Sequence, residues 1–130
     1  KMPKEWYEDV DVERVEPPHH VISQNKLHRL VVEMVENGWV GRPVLVTPGA
    51  SNLWAQTGSH RIAAAREAGL ESIPALMVDL EDVWEELETD VYGCPVLGMD
   101  DEDRAAKLAA IGASDASELM WQEVAEGWDC

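Results

Sequence analysis

The segment TGSHRIAAAREAGLESIP, residues 57–74, constrains the fold more than any other part of this chain. A short polar turn precedes an alanine-rich run that stops at Gly69, and an Ile-Pro pair then opens the apolar run IPALMVDL. Glycine ends helices, and short apolar runs bounded by turn residues favour buried strands. The pattern therefore predicts a helix over residues 61–68 with a buried strand after it. These are the helix and strand of a mixed α/β core.

The preceding stretch predicts one helix and two strands. In SQNKLHRLVVEMVENGW the apolar residues recur with the i, i+3, i+4 spacing of one helix face, with Ser23 as N-cap and Gly38 as the C-terminal stop. The run RPVLVTP predicts a strand over residues 44–47, and LWAQT predicts a second strand after the turn PGASN. Strands that alternate with helices at this spacing are typical of an α/β domain.

The chain becomes strongly acidic from Asp79 onward, where sixteen acidic residues stand against two basic ones. This part predicts a short acidic helix in EDVWEELETD and two longer helices over residues 101–112 and 115–126. The residues predicted to face inward from the last helix are Leu119, Met120 and Val124. We therefore expect a core over residues 2–80 and a helical acidic extension over residues 81–130 that packs on the core.

The charge of the chain disfavours some partners and favours others. Its 130 residues carry a formal net charge of −16, which repels the phosphate backbone, so non-specific nucleic-acid binding is not expected. Residues 26–66 reverse this balance, with five basic residues against two glutamates. A small cationic centre in an anionic chain suits a compact anion such as the phosphates of a nucleotide.

The sequence predicts a cytoplasmic protein without membrane contacts. No apolar run approaches the roughly 18 residues that suggest a membrane-spanning helix. Cys94 and Cys130 show neither metal-ligand nor disulfide spacing, which fits a reducing compartment.

The polar turn at residues 58–61 predicts a phosphate-binding loop. A strand, this turn and a helix in succession present free backbone N–H groups and the positive end of a helix dipole to an anion. Gly58 permits close approach of the backbone. Ser59 offers a hydroxyl, and His60 and Arg61 add donors that fit phosphate oxygens. The alternative is structural, with Ser59 as an N-cap and the next two residues as ordinary helix-start residues.

The chain also resembles the ParB/sulfiredoxin superfamily. WAQTGSHRIAAAREAGLESIPALMV resembles its second signature, where a strand ends in a G-x-[HR]-R loop before an alanine-rich helix, a Gly and an Ile-Pro. NGWVGRPVLV resembles the first signature, and EPPHHVISQNKLHRL is similar to a sulfiredoxin segment with a helical Lys. The resemblance covers roughly residues 10–80 and implies a small mixed sheet with packed helices. The acidic extension lies outside it.

The resemblance implies a set of nucleotide-binding residues. The loop residues implied to contact phosphates are Gly58, Ser59, His60 and Arg61. Lys26 is implied to reach the same anion, Arg29 lies one helical turn from Lys26, and Arg42 stands in the first signature. The implied ligand is a nucleoside di- or triphosphate (ATP, ADP or CTP), with Mg²⁺ held mostly by the phosphates and no metal site on the protein.

Ser59 distinguishes the chain from two branches of the superfamily. Sulfiredoxins carry G-C-H-R at this loop, and a hydroxyl cannot form the sulfur intermediate that reductive repair needs. ParB partition proteins carry G-E-R-R, in which the Glu assists hydrolysis of cytidine triphosphate. A third branch, the free serine kinases, uses a similar G-x-H-R loop together with a separate carboxylate as base.

Phosphoryl transfer or nucleotide hydrolysis is the implied chemistry if the chain is an enzyme, which leaves kinase and NTPase open. Glu16, just before two prolines, is the candidate base, with Glu13 in reserve; the alternative is that both are ordinary surface acids. A second catalytic hypothesis makes Ser59 a covalent nucleophile, with His60 as its activating neighbour.

Two other functions stay open. The acid-rich tail fits a non-catalytic interaction or regulatory protein, bacterial or phage-encoded, that binds a basic protein partner through the tail. The third function is a ParB-like nuclease or DNA-associated factor. Against it, the sequence shows no acid cluster for two metals near the loop, and the charge repels DNA.

Several neighbouring side chains also have predicted positions. His19 and His20 point to opposite sides of an extended segment, which allows one of them to face the pocket. Arg66 and His28 are predicted to lie on exposed helix faces. The tryptophans predicted to pack in the core or to hold the tail helices are Trp39, Trp54, Trp84, Trp121 and Trp128.

Overall fold

A computed structural model describes residues 4–49, 51–89, 95–96 and 100–125 of the chain. Its strands are β1 Glu5–Asp11, β2 Val15–Glu16, β3 Val44–Pro48, β4 Leu53–Ala55, β5 Ser72–Val78, β6 Glu88–Thr89 and β7 Pro95–Val96. Its helices are α1 Gln24–Asn37, α2 Ser59–Glu67, α3 Asp101–Ala110 and α4 Ser114–Ala125, with short 3₁₀ turns at Val12–Arg14 and Glu81–Glu86. Within these ranges no helix combines the length and the apolar character that crossing a membrane requires. Cys94, Cys130 and Trp128 lie outside the described residues, as does the side chain of Trp84.

Five of the strands form one mixed sheet in the order β1-β5-β3-β4-β2. β1 lies antiparallel to β5, while β3 lies parallel to β5 and antiparallel to β4. β2 adds a short parallel strand beside β4. The arrangement confirms the predicted mixed α/β fold, and α1 and α2 lie where helices were predicted, with α2 beginning at Ser59, two residues earlier than expected. The predicted short acidic helix in EDVWEELETD was wrong, because this segment forms the 3₁₀ turn Glu81–Glu86 and the strand β6.

The edge strand β1 was missing from the sequence prediction. Its sequence EWYEDVD carries four acidic residues and leaves Tyr7 63% exposed, so it has the composition of polar surface. All seven residues nevertheless pair with β5, from Glu5 opposite Val78 to Asp11 opposite Ser72. The strand forms because β5 supplies a complete partner, and acidic side chains on such an edge discourage pairing with another chain.

Each face of the sheet carries its own apolar layer. Alternation along β5 places Ala75 and Met77 in the layer that α1 and α2 cover, and it places Leu76 and Val78 in the layer on the other face. The residues that α3 and α4 contribute to this second layer are Ala105, Leu108, Ala116, Leu119 and Met120. The last two helices therefore share a core with the sheet. The division of the chain at residue 80 stays a prediction.

Three side-chain predictions were wrong. Arg66 is half-buried, because it donates hydrogen bonds to two backbone carbonyls beside the first 3₁₀ turn. Trp121 is 46% exposed, so it does not hold its helix to the domain. In α4 the prediction of Val124 as an inward residue missed Glu123, which is 1% exposed while Val124 is only half-buried. The reason is that Glu123 has cationic partners from distant parts of the chain.

Candidate functional site

Gly58 connects the strand β4 to α2 through a backbone conformation that favours glycine. Its φ is 85°, and a Cβ at this position would lie 2.7 Å from Cγ1 of Val44. Its carbonyl accepts the N–H of Ile62 at 2.8 Å, which makes Gly58 the N-cap of α2. Ser59 is the first residue of the helix, so the alternative in which Ser59 is the N-cap does not hold.

Replacing Gly58 with alanine is expected to lower the free energy of unfolding by roughly 2 kcal/mol, because left-handed backbone strain adds to the contact with Val44. Gly69→Ala is the matched control: Gly69 has φ 80° but would bring its Cβ within 4 Å of nothing, so only the backbone cost of about 1 kcal/mol applies. Urea unfolding of both variants measures the difference. Equal losses of unfolding free energy in the two variants would show that the contact with Val44 adds no cost.

Residues 19–23, here called the cover segment, lie over the first turn of α2. The backbone N–H of His19 donates to the hydroxyl of Ser59 at 3.1 Å, and the rings of His19 and His60 meet edge to face with centroids 6.4 Å apart. Ser59 and His60 are only 1% and 3% exposed. Of the two adjacent histidines, His19 thus lies against α2, while His20 is exposed.

His60 joins the first turns of two helices. Its Nε2 accepts hydrogen bonds from the consecutive backbone N–H groups of Ile22 and Ser23, at 3.2 and 3.0 Å, so Nε2 is an unprotonated ring nitrogen. Ser23 is the N-cap of α1, and its hydroxyl accepts the N–H of Lys26 at 3.2 Å. The positive ends of the α1 and α2 dipoles therefore meet at one imidazole, with a half-buried lysine in the first turn of α1.

Three further basic residues of the segment 26–66 are Arg29, Arg42 and Arg61. Arg29 lies one turn beyond Lys26 on α1 and is exposed, as is His28, whose exposure was predicted. Arg42 precedes β3, and Arg61 lies in the first turn of α2. The structure thus brings Lys26, Ser59 and His60 to the helix starts. Arg42 and Arg61 contact other protein groups, which are described next.

Arg61 is held by the segment before β3. Its guanidinium donates to the carbonyl oxygens of Val40 and Arg42 and lies 5.0 Å from the ring centroid of Trp39. The residue is 5% exposed. The predicted contact of Arg61 with a phosphate stays a prediction, since its described contacts are with protein groups.

A carboxylate from α4 completes this arrangement. Oε1 of Glu123 lies 3.3 Å from Nη1 of Arg42 and 3.5 Å from Nη2 of Arg61. The side chains of Glu123 and Arg61 are 1% and 6% exposed, whereas that of Arg42 is 21% exposed. Burial of a charge is costly unless a partner compensates it, so the three groups depend on one another.

Arg42 also borders a cleft of about 220 Å³ between the start of β3 and α4, where Tyr7, Asp115 and Glu118 lie on the walls. The hydroxyl of Tyr7 donates to Oδ2 of Asp115 at 3.4 Å. Burial, followed by the negative charge of Asp115, raises the pKa of Tyr7 above its ordinary value. The cleft accounts for the partial exposure of Arg42.

The candidate base Glu16 lies in β2, at the edge of the sheet. It is half-buried and accepts a hydrogen bond from Nδ2 of Asn52 at 3.4 Å. Two prolines separate it from His19 and the cover segment. Its reserve, Glu13, is exposed in the first 3₁₀ turn. Among the described residues, no three His, Cys, Asp or Glu side chains are grouped so as to hold a metal ion.

Residues 3–89 match the model of a protein family described as the ParB N-terminal domain. This chain belongs to the ParB N-terminal domain family. The match covers the sheet and α1–α2, and it confirms the resemblance to the ParB/sulfiredoxin superfamily.

Three individual proteins are similar to this family member. It is 32% identical over 100 residues to an ATP-dependent L-serine kinase of Staphylothermus marinus, across 68% of this chain and 38% of the kinase. It thus spans well under half the length of that relative. Sulfiredoxin from Arabidopsis thaliana superposes with a TM-score of 0.50 at 20% identity, over 62% of this chain and 94% of sulfiredoxin. Truncated ParB from Caulobacter crescentus, complexed with CTP-gamma-S, gives a TM-score of 0.51 at 20% identity, over 82% and 62% of the two chains. The two superpositions show the fold alone.

The sequence contained a signal for Glu123 that the prediction did not use. Ala116, Leu119 and Met120 precede it at the i, i+3 and i+4 positions of one helix face, and Glu123 is the next position on that face. A lone acid on the apolar face of a helix requires a buried partner. The region of this chain that matches the ParB N-terminal domain ends at residue 89, so Glu123 lies beyond it.

Proposed function

We propose that this chain binds the phosphates of a nucleoside di- or triphosphate where the first turns of α1 and α2 meet, and that it transfers or hydrolyses the terminal phosphate. ATP or ADP is the first choice of ligand, because the relative at 32% identity is an ATP-dependent kinase. CTP is the second choice, because a ParB protein of the same fold is complexed with CTP-gamma-S.

The observation that carries the proposal is the pair of consecutive N–H groups on Nε2 of His60. Two adjacent backbone donors at a helix start are the arrangement that binds phosphate oxygens. A charged phosphate oxygen is a stronger acceptor than an imidazole nitrogen, so it would replace Nε2 as the acceptor of these two N–H groups. Lys26 supplies a positive charge in the same turn, with Arg29 one turn away.

Charge neutralisation and positioning are the main requirements of phosphoryl transfer, and these groups supply both. The oxygen of an acceptor hydroxyl attacks the terminal phosphorus, its proton passes to a carboxylate, and the bond to the bridging oxygen breaks to release the nucleotide with one phosphate fewer. Glu16 is our candidate for that carboxylate, because its strand leads directly into the cover segment. With water as the acceptor, the same steps amount to hydrolysis. Mg²⁺ would be carried by the phosphates.

Lys26→Ala is expected to abolish most of the stabilisation that the nucleotide gives. At about 100 times its Kd a ligand stabilises the folded chain by about 2.7 kcal/mol, a readily measured rise in Tm. We would measure Tm with ATP, ADP, CTP and GTP, each with and without Mg²⁺. Lys107→Ala, the loss of an exposed lysine in α3, is the charge-matched control and should respond as the wild type does.

Two results would count against the proposal. Equal loss of the nucleotide response in both lysine variants would mean that overall charge, not the α1 start, governs binding. No response of the wild type to any nucleotide would favour the non-catalytic interaction protein, whose test is binding of a basic protein partner.

A further inference from the structure

We infer that Glu123 in α4 is a positioning residue for the loop at residues 58–61: it holds Arg61 and so fixes the first turn of α2. The part of this inference that concerns nucleotide binding rests on the proposed function. It brings into the site a helix that lies beyond the region matched by the family model.

The contacts of Glu123 connect three separate segments. One carboxylate oxygen, Oε1, serves both Arg42 and Arg61, at 3.3 and 3.5 Å. Arg61 belongs to the first turn of α2, and Arg42 to the segment before β3. Moving the carboxylate would therefore disturb the start of α2 and the segment before β3 together.

Arg61 transmits this restraint because its guanidinium has other contacts besides Glu123. Nη1 donates to the carbonyls of Val40 and Arg42, and the guanidinium packs on Trp39. Arg61 directly follows His60, whose imidazole holds the N–H groups at the start of α1. A displacement of Arg61 is therefore expected to move His60 and to disturb both helix starts that are proposed to bind phosphate.

The surroundings of the carboxylate argue for positioning and against competition with the ligand. A carboxylate that merely occupied a phosphate site would have to leave on binding, but Glu123 is 1% exposed, on the helix face that packs Leu119 and Met120 into the second apolar layer. The phosphate-binding groups lie at Ser23 and His60 and do not include Glu123 among their described contacts. Glu123 and the nucleotide are therefore expected to act at the same time.

The test compares Glu123→Gln with Leu108→Ala. Glutamine keeps the size of the side chain and removes the charge, while Leu108→Ala weakens the apolar layer that α3 and α4 share and leaves Glu123, Arg42 and Arg61 in place. Amide hydrogen exchange is followed at Ile22, Ser23 and Ile62, which report the two helix starts. Exchange of β5 amides serves as the internal reference for global unfolding. Nucleotide Kd is measured on the same proteins by calorimetry.

In Glu123→Gln we expect the three reporter amides to exchange at least fivefold faster relative to β5, and the nucleotide Kd to rise at least tenfold. In Leu108→Ala all amides should accelerate together, and Kd should stay within about twofold of wild type. Reporter amides that follow β5 in both variants would overturn the inference, as would an unchanged Kd in Glu123→Gln. If the reporters accelerate selectively but wild type binds no nucleotide, Glu123 positions the loop and the proposed function is wrong.

Discussion

Replacing Arg61 with methionine is expected to lower the free energy of unfolding by about 3–5 kcal/mol, the cost typical of removing one partner from a buried ion pair. The guanidinium is almost fully enclosed, and its carboxylate partner Glu123 is 1% exposed. Without Arg61 that carboxylate keeps the partly exposed Arg42 among its described partners, and the carbonyls of Val40 and Arg42 lose this donor. The segment before β3 would then lose its link to α2.

Urea unfolding followed by tryptophan fluorescence measures this loss. Arg29→Met is the matched control, because Arg29 is exposed on α1 and its replacement should change the free energy of unfolding by less than about 0.5 kcal/mol. The double variant Arg61→Met with Glu123→Met removes both charges and should be more stable than Arg61→Met alone, since apolar replacement of a whole buried pair is often neutral. A loss below about 1 kcal/mol in Arg61→Met would mean that the guanidinium is not needed for the fold.

Replacing His60 with leucine is expected to lower the free energy of unfolding by about 1–3 kcal/mol and to abolish the response to nucleotides. Leucine leaves the part-buried N–H groups of Ile22 and Ser23 without the acceptor that they share, and losing the partner of a donor that is shielded from water destabilises the fold. Among the described hydrogen bonds between the cover segment and α2, the one between His19 and Ser59 would remain. The same change removes the imidazole from the proposed phosphate site.

His60→Gln separates the two consequences. The side-chain carbonyl of glutamine can accept an N–H near the position of Nε2, so the variant should recover at least half of the lost unfolding free energy. It lacks the imidazole, so its nucleotide-induced rise in Tm should stay well below that of wild type. If leucine and glutamine destabilise equally, acceptance of the two N–H groups is not the structural role of His60.

The helices and the three inner strands could be predicted because their signals are local. The i, i+3, i+4 spacing of α1, its N-cap Ser23 and the apolar run of β5 each depend on neighbours within a few residues. β1 could not be predicted in this way, because its acidic residues form a strand only where β5 offers seven partners. Its register is a property of the assembled sheet.

The sequence predicted which residues form the candidate site, but it did not predict which groups each of them contacts. The sequence pointed to Gly58, Ser59, His60 and Lys26, and the structure brings the last three to one junction through the cover segment. It treated Arg61 as a neighbour of these groups, although the guanidinium is engaged by the segment before β3 and by α4. Adjacent residues at a helix start point in different directions, so their partners cannot be inferred from spacing alone.

The sequence by itself determined the membership in the ParB N-terminal domain family, the mixed α/β order of elements and the cationic centre within an acidic chain. Only the tertiary structure decided which groups satisfy the buried polar side chains. His60 meets an N–H 37 residues away in the chain, and Arg42 meets a carboxylate 81 residues away. The helices and the inner strands follow from interactions between near neighbours, whereas a buried charge requires any compensating partner that the fold brings close, and no local pattern specifies which one.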